Sequence, residues 1–168
     1  MEPRDHARHA LSFSRRMSEK LFESLTTPEN WVFQVHPKAN HALWIAAHVA
    51  LADNSFISKF RPELARKPAG WDELFWSKSQ PTDDVGRYPS SDEVLAYYRE
   101  RRLTLLRVLD ELSEEELQGP APPVGARSPL AGAPNIGHAF IFAAQHELMH
   151  AGQLTVAHRA LGNPPLIG

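Results

Sequence analysis

Two histidines near the carboxyl end of the chain, His146 and His150, are four residues apart, and a carboxylate, Glu147, directly follows the first. Residues at positions i and i+4 of an α-helix lie on the same face, so both imidazoles can reach one divalent metal ion. On a helical wheel this face also carries small and apolar side chains, which directs the pair toward the protein interior. The spacing therefore predicts a metal site built on a helix.

A third imidazole, His48, lies in the middle of an apolar stripe on a different predicted helix. An unpaired polar group buried in such a place costs roughly 1–3 kcal/mol. Binding one metal ion would satisfy the nitrogen atoms of His48 and of the pair, so we predict a three-histidine site with an open coordination position. His41, two turns earlier on nearly the same face, is the alternative third ligand, and His48 is favoured over it.

The carboxylate of Glu147 lies about 60° from His150 around the helix. It could act as a general base, or it could accept a hydrogen bond that orients a ligand histidine; an exposed or ion-paired helix carboxylate is the equally weighted alternative. We retain Glu147 as the candidate catalytic residue. Gln153, one turn beyond His150, is a candidate for lining the pocket, with a packing role as its alternative.

A histidine, a glutamate and a second histidine at this spacing also occur in zinc peptidases. Peptidases of that type take their third ligand from residues that follow the motif. No Asp or Glu follows Glu147 in this chain. The position six residues beyond His150 is Val156, and His158 lies on a divergent face. The peptidase interpretation is therefore disfavoured, and the third ligand is expected from an earlier part of the chain.

Four segments with an apolar period of 3.6 residues must position these side chains, without an alternating strand pattern or an internal repeat between them. The predicted helices span residues 6–25, 40–60 with Asn40 as N-cap, 90–112 with a capping box at Ser90 and Glu93, and 135–162. A short helix is predicted over 71–77, within the long second connection, and a brief turn at Ser113 and Glu116. Arg15 and Asp53 fall off the apolar faces. This pattern favours an all-α four-helix bundle, with long connections and one domain over 1–168.

The composition excludes several classes of function. With 18 basic and 20 acidic side chains the net charge is −2, so the chain lacks the basic footprint of a nucleic-acid-binding protein. No apolar run approaches the roughly 20 residues that span a bilayer, and the first residues lack a secretory signal, so we expect a cytoplasmic protein without membrane contact. Cysteine is absent, which excludes disulfides and thiolate ligands. Since 168 residues can bury a sufficient core alone, a bound metal is expected to be functional.

Three segments carry a family resemblance: WIAAH at 44–48, HELMHAGQL at 146–154 and LGNPP at 161–165. With these motifs, and with the order and lengths of its helices from about residue 6 to residue 165, the chain resembles the DinB/YfiT-like superfamily of metal-binding four-helix bundles. The resemblance implies that the metal-binding histidines are His48, His146 and His150, with water or substrate completing the coordination. It implies neither a polymerase nor a DNA-binding protein.

Members of that superfamily include transferases and isomerases that use bacillithiol, mycothiol or glutathione, and proteins proposed as metal-dependent hydrolases. The resemblance therefore implies a zinc- or nickel-dependent enzyme that activates water or a low-molecular-weight thiol, for hydrolysis or S-transfer on a small-molecule substrate. The contrasting hypothesis is a metal-binding or stress-related bundle without turnover, acting through partner binding. Apolar residues on the last helix also predict a face that packs on a second subunit in a homodimer, namely Phe140, Ile141, Ala144 and Leu148.

Overall fold

The computed structural model describes residues 2–76, 78–122 and 132–166, and within these ranges the chain is helical and contains no strand. In chain order the helices are α1 (Pro3–Phe22), α2 (Pro28–Trp31), α3 (Ala42–Phe60), α4 (Trp71–Phe75), α5 (Ser91–Glu111), α6 (Glu114–Gln118) and α7 (Ile136–Ala160). The four long helices, α1, α3, α5 and α7, form a bundle. The predicted all-α four-helix architecture is confirmed, and α4 is the extra short helix in the long connection.

The first and last helices of the bundle run parallel to each other. Ser14 of α1 contacts Glu147 of α7, and Ser24, just beyond the end of α1, contacts His158 further along α7. This pair packs extensively along its length.

The two middle helices form a second parallel pair. Asp53 of α3 contacts Arg102 of α5, and Arg61, just beyond the end of α3, contacts Glu111. A parallel pair needs a connection that returns along the whole bundle, which for a helix of 19 residues is roughly 28 Å. The segment over 61–90 makes this return and contains α4, which explains why the connection is long.

The two pairs meet along α3 and α7, which we call the α3/α7 seam. Trp44 lies near His150, and Phe56 packs on Phe140, so these two helices are antiparallel. Direct packing across the seam is less extensive than packing within either pair. No helix in the described ranges is long and apolar enough to cross a membrane.

The N-cap of α3 differs from the prediction. We expected Asn40 there, but the cap is His41, whose Nδ1 accepts a hydrogen bond from the backbone N–H of Trp44 at 3.1 Å. The imidazole nitrogen of histidine can take the place of the side-chain oxygen that usually caps a helix, because it is an acceptor at the same distance from the backbone. His41 is fully buried in this position.

The other helix ends follow the sequence signals more closely. Ser90 caps α5 by accepting from the N–H of Glu93, and Ser113 with Glu116 forms a reciprocal capping box at α6. The helix α1 begins earlier than predicted because Pro3 suits the first turn, where no backbone N–H is needed.

Part of the face predicted to pack on a second subunit lies inside the bundle. Phe140 is fully buried and packs on Phe56 and Phe60, and Ala144 is also buried. Leu148 is exposed, as that prediction requires. The inference was wrong for Phe140 and Ala144 because both side chains point toward α3 and the core, and a homodimer stays a prediction.

Candidate metal centre

Three imidazole rings, those of His48, His146 and His150, converge at the α3/α7 seam. One nitrogen atom of each ring lies within 4.8 Å of the corresponding atoms of the other two, and Nε2 of His146 is 3.2 Å from Nε2 of His150. His48 belongs to α3, and the other two lie on successive turns of α7. The structure thus brings together the three histidines that the sequence singled out.

Two of the rings are oriented by hydrogen bonds at their outer nitrogen. Nδ1 of His48 is 2.9 Å from the backbone carbonyl of Phe75, at the end of α4. Nδ1 of His150 is 3.1 Å from Oε1 of Gln153, an oxygen that also accepts from Asn40 at 3.3 Å. Because both partners are acceptors, Nδ1 carries the proton in each ring and the lone pair of Nε2 faces the centre.

Burial keeps the three rings uncharged. Burial, together with the neighbouring imidazoles, lowers the pKa of His48 to about 4 and the pKa of His146 to about 3. Burial also lowers the pKa of His150. Imidazole binds metal in its neutral form, so no proton has to leave these ligands at neutral pH. Lone pairs of His48 and His150 face a common centre, and a divalent cation at that centre would bind them. The residues present therefore fit such an ion.

Aromatic side chains surround the three imidazoles. The Trp44 ring stacks on His48 with centroids 4.4 Å apart, and its Nε1 donates to Ser79 Oγ at 2.7 Å. Phe142 lies parallel to His146 at 6.4 Å. These aromatic rings pack directly on the imidazoles of His48 and His146.

Trp76 separates the centre from a surface cavity. Its ring centroid is 5.7 Å from that of His48, and the side chain is 38% exposed, which is unusual for so large an apolar group. Trp76 also lines a cavity of about 670 Å³, whose lining comes from α3, α4 and the segments on both sides of α4: Leu51, Asn54, Ser55, Ser58, Ala65, Lys67, Asp72, Glu73, Trp76 and Lys78. The cavity begins one helical turn from His48, at Leu51.

Glu147 lies outside the group of three rings. It is 1% exposed, accepts hydrogen bonds from Ser14 at 3.0 Å and from Tyr98, and forms ion pairs with Arg15 at 3.1 Å and Arg102 at 2.8 Å. Burial opposes its ionisation, but the two guanidinium groups and the two hydroxyl donors outweigh that effect and lower the pKa of Glu147. The ion-paired alternative describes these contacts, and a catalytic role for Glu147 stays a prediction.

The same two arginines also hold a second buried carboxylate. Asp53 receives two bonds from Arg102, at 2.8 and 3.1 Å, and one from Arg15 at 3.1 Å. We call Arg15, Asp53, Arg102 and Glu147 the buried ion-pair network. Sequence reasoning missed this network, because Arg15 and Asp53 lie off the apolar faces of their helices and were expected in solvent.

The remaining histidines considered as ligands have other contacts. His41 is the N-cap of α3, and His158 bonds Ser24 and the backbone carbonyl of Pro164, both at 2.9 Å. Both are thus engaged away from the three converging rings.

A comparison with protein families gives one match. The model of a family described as the DinB superfamily matches residues 10–154, which is most of the chain and includes all three histidines of the centre. A comparison with curated proteins finds no match.

Proposed function

We propose that this chain, which belongs to the DinB superfamily, is a metal-dependent enzyme whose divalent ion, zinc or nickel, is held by His48, His146 and His150. The observation that carries the proposal is the convergence of three imidazoles, two buried and that of His146 half-buried, whose nitrogen atoms lie within 4.8 Å of one another. Three nitrogen ligands with an open position are typical of catalytic zinc sites, and imidazole also suits nickel.

A divalent ion bound there would lower the pKa of a water molecule or a thiol in its open position, and so supply a nucleophile near neutral pH. The three imidazoles are neutral and leave the charge of the ion undiminished, which favours this use. Because the chain contains no cysteine, a thiol would have to come from a low-molecular-weight cosubstrate. The proposed reaction is therefore hydrolysis with water or S-transfer with such a thiol.

The chain's own residues prepare the site for this chemistry. The Phe75 carbonyl and the Gln153 side chain hold the ring planes of His48 and His150, so little reorganisation is needed when an ion binds. Hydrogen-bond acceptors at the outer nitrogen also make an imidazole a more basic ligand. These contacts support a preformed site.

We assign the small-molecule substrate to the cavity beside Trp76. Its volume of about 670 Å³ falls within the range of roughly 300–1,000 Å³ that is usual for ligand sites. Trp76 contacts both His48 and this cavity, so a molecule packed on the exposed indole lies next to the centre.

The second candidate function is a bundle that binds metal without turnover and acts through partner binding. The observation in its favour is burial: His48 is 7% and His150 is 4% exposed, so His146 is the most accessible of the three rings. Such burial limits the access of a substrate to His48 and His150, as expected of a metal site without turnover.

Elemental analysis of protein purified without an affinity tag tests the metal site. We expect close to one zinc or nickel ion per chain in the wild type, and loss of the ion in His48→Ala and in His150→Ala. His9→Ala, which removes an exposed histidine of α1, is the matched control and should retain the metal. Undiminished metal in both ligand variants would refute the site.

Turnover assays then separate the two candidate functions. One assay combines a low-molecular-weight thiol with an electrophilic acceptor, and the other offers an ester without thiol, each with wild type and His48→Ala. Product that depends on metal and disappears in His48→Ala supports the enzyme. Full metal occupancy without product in either assay supports the second candidate.

A further inference from the structure

We infer that the buried ion-pair network positions the metal ligands, and that Glu147 is a positioning residue for the centre. The inference rests on the proposed function, since it concerns the same three histidines. It differs from catalysis by Glu147, because the carboxylate contacts arginine and hydroxyl groups of other helices.

The metal ligands lie where the two parallel helix pairs meet, and direct packing between α3 and α7 is less extensive than packing within either pair. His48 is on one side of the α3/α7 seam, while His146 and His150 are on the other. Each helix packs mainly on its parallel partner, α3 on α5 and α7 on α1. If apolar packing within each helix pair acted alone, the position of His48 relative to His146 and His150 would therefore be weakly determined.

The buried ion-pair network joins the two halves at this level of the bundle. Arg15 and Arg102 each contact both carboxylates, Asp53 on α3 and Glu147 on α7, with distances of 2.8–3.1 Å. All four residues are at most 8% exposed. One connected set of buried ion pairs thus links all four long helices, including both helices that carry the histidines.

The network lies within two turns of every metal ligand. Glu147 is next to His146 and three residues before His150, and Asp53 is five residues beyond His48. Side-chain atoms that lie about 5–6 Å from the axis of α7 would move by about 2 Å if the helix rotated by about 20°. Metal–ligand distances tolerate only about ±0.2 Å, so the four contacts that fix Glu147 also fix the rotation on which His146 and His150 depend.

The charge pattern favours positioning over stability as the role of this network. The charges of its two arginines and two carboxylates balance. Replacing such buried ion pairs with apolar side chains often leaves the stability of the fold unchanged or raises it. Fixing the register of neighbouring elements is the best-attested use of buried polar groups.

Binding of Co²⁺, whose visible absorption reports ligand geometry, tests the inference. We expect Glu147→Gln to bind Co²⁺ roughly 10–100-fold more weakly than wild type, with altered absorption bands. The control is Arg101→Met, which removes an equally buried side chain whose bonds to Asn54 and the Leu64 carbonyl stay within the α3/α5 half. That variant should lose thermal stability but keep wild-type Co²⁺ affinity and spectrum.

A double variant separates positioning from a general loss of stability. Glu147→Met with Arg102→Met removes one charge of each sign, and we expect it to recover stability relative to Glu147→Gln while Co²⁺ binding stays altered. If Co²⁺ affinity returns together with thermal stability, or if Arg101→Met alters the spectrum as much as Glu147→Gln does, the inference fails. Absence of Co²⁺ binding in the wild type would instead refute the proposed function itself.

Discussion

At the scale of single residues, the hydrogen-bond partner of each buried imidazole determines what the ring can do. The Phe75 carbonyl engages Nδ1 of His48 and leaves its Nε2 lone pair for a metal. At His41 the roles are reversed, because Nδ1 accepts from the Trp44 backbone N–H. His48 and His41, both buried, therefore differ in role: His41 caps α3, while His48 has an Nε2 lone pair available for the proposed metal.

Protonation of His41 would remove the cap of α3, because a protonated Nδ1 cannot accept a hydrogen bond. Burial lowers the pKa of this residue from its ordinary value to about 4. The unfolded chain, with a histidine pKa of about 6.5, binds the proton more readily. The contribution of neutral His41 to stability is therefore present above about pH 6.5 and lost as the pH falls toward about 4, by on the order of 3 kcal/mol.

We expect His41→Asn to weaken this pH dependence. Asparagine places an acceptor oxygen where Nδ1 was, so it retains the cap while removing the titration. Urea denaturation of metal-free protein at a series of pH values should show a shallower loss of unfolding free energy in acid than the wild type shows. The exposed His9→Asn should match the wild-type slope. Parallel curves for wild type and His41→Asn would contradict the assignment.

The sequence was sufficient to predict which three histidines converge, but not the contacts that support them. Helical periodicity places His146, His150 and His48 on inward faces, which is a one-dimensional property. The carbonyl that holds His48 belongs to the backbone of Phe75, and a backbone acceptor has no signature in residue type. The partners of Glu147 lie on α1 and α5, and their contact depends on packing that no single helix specifies.

At the scale of elements, the path of the chain between α3 and α5 shapes the centre. Two parallel neighbours require a returning connection, and this one carries α4, whose last residue supplies the carbonyl for His48. Gly70 begins α4 with a φ of +77°, a left-handed conformation that favours glycine. The orientation of the His48 ring thus depends on a turn in the connection.

Gly70→Ala should therefore weaken metal binding from a distance. A Cβ at Gly70 would meet no atom within 4 Å, so the expected cost of about 1–2 kcal/mol comes from backbone strain alone, and relief of that strain would shift α4. Gly162→Ala is a matched control, with φ of +88° and equally open space, beyond the end of α7. We expect both variants to lose a similar amount of thermal stability. Only Gly70→Ala should bind zinc more weakly, as measured by competitive titration. Equal zinc affinities would show that α4 does not orient His48.

Helices were predictable from sequence where the apolar period is long, and their ends were less so. The four-residue α2 is too short to show a period and was not predicted. The aromatic cluster predicted a helix over 71–77; α4 ends at Phe75, and Ser77 lies outside the described residues. Asn40 was preferred as N-cap from general statistics, whereas the local fold gave this role to His41.

At the scale of the whole molecule, the buried apolar residues form two clusters, one around each end of the seam. One cluster includes Trp44 and Tyr98, and the other includes Phe56 and Phe140. The three histidines lie beside the first cluster, where Trp44 stacks on His48. Both clusters draw on several long helices, so the core that holds the bundle together is independent of any ion.

Removal of the metal should therefore leave the bundle folded but less stable. An ion that binds only the folded chain stabilises it by about 2.7 kcal/mol at 100 times its dissociation constant, which for a chain of this size raises Tm by about 5–11 °C. We expect chelator-treated wild type to keep its helical circular dichroism and cooperative melting, with Tm lowered by that amount and restored by added zinc. His48→Ala should show no such shift, because it has no ion to lose. Loss of helicity on chelation would make the ion structural, and an unchanged wild-type Tm would contradict tight binding at the three histidines.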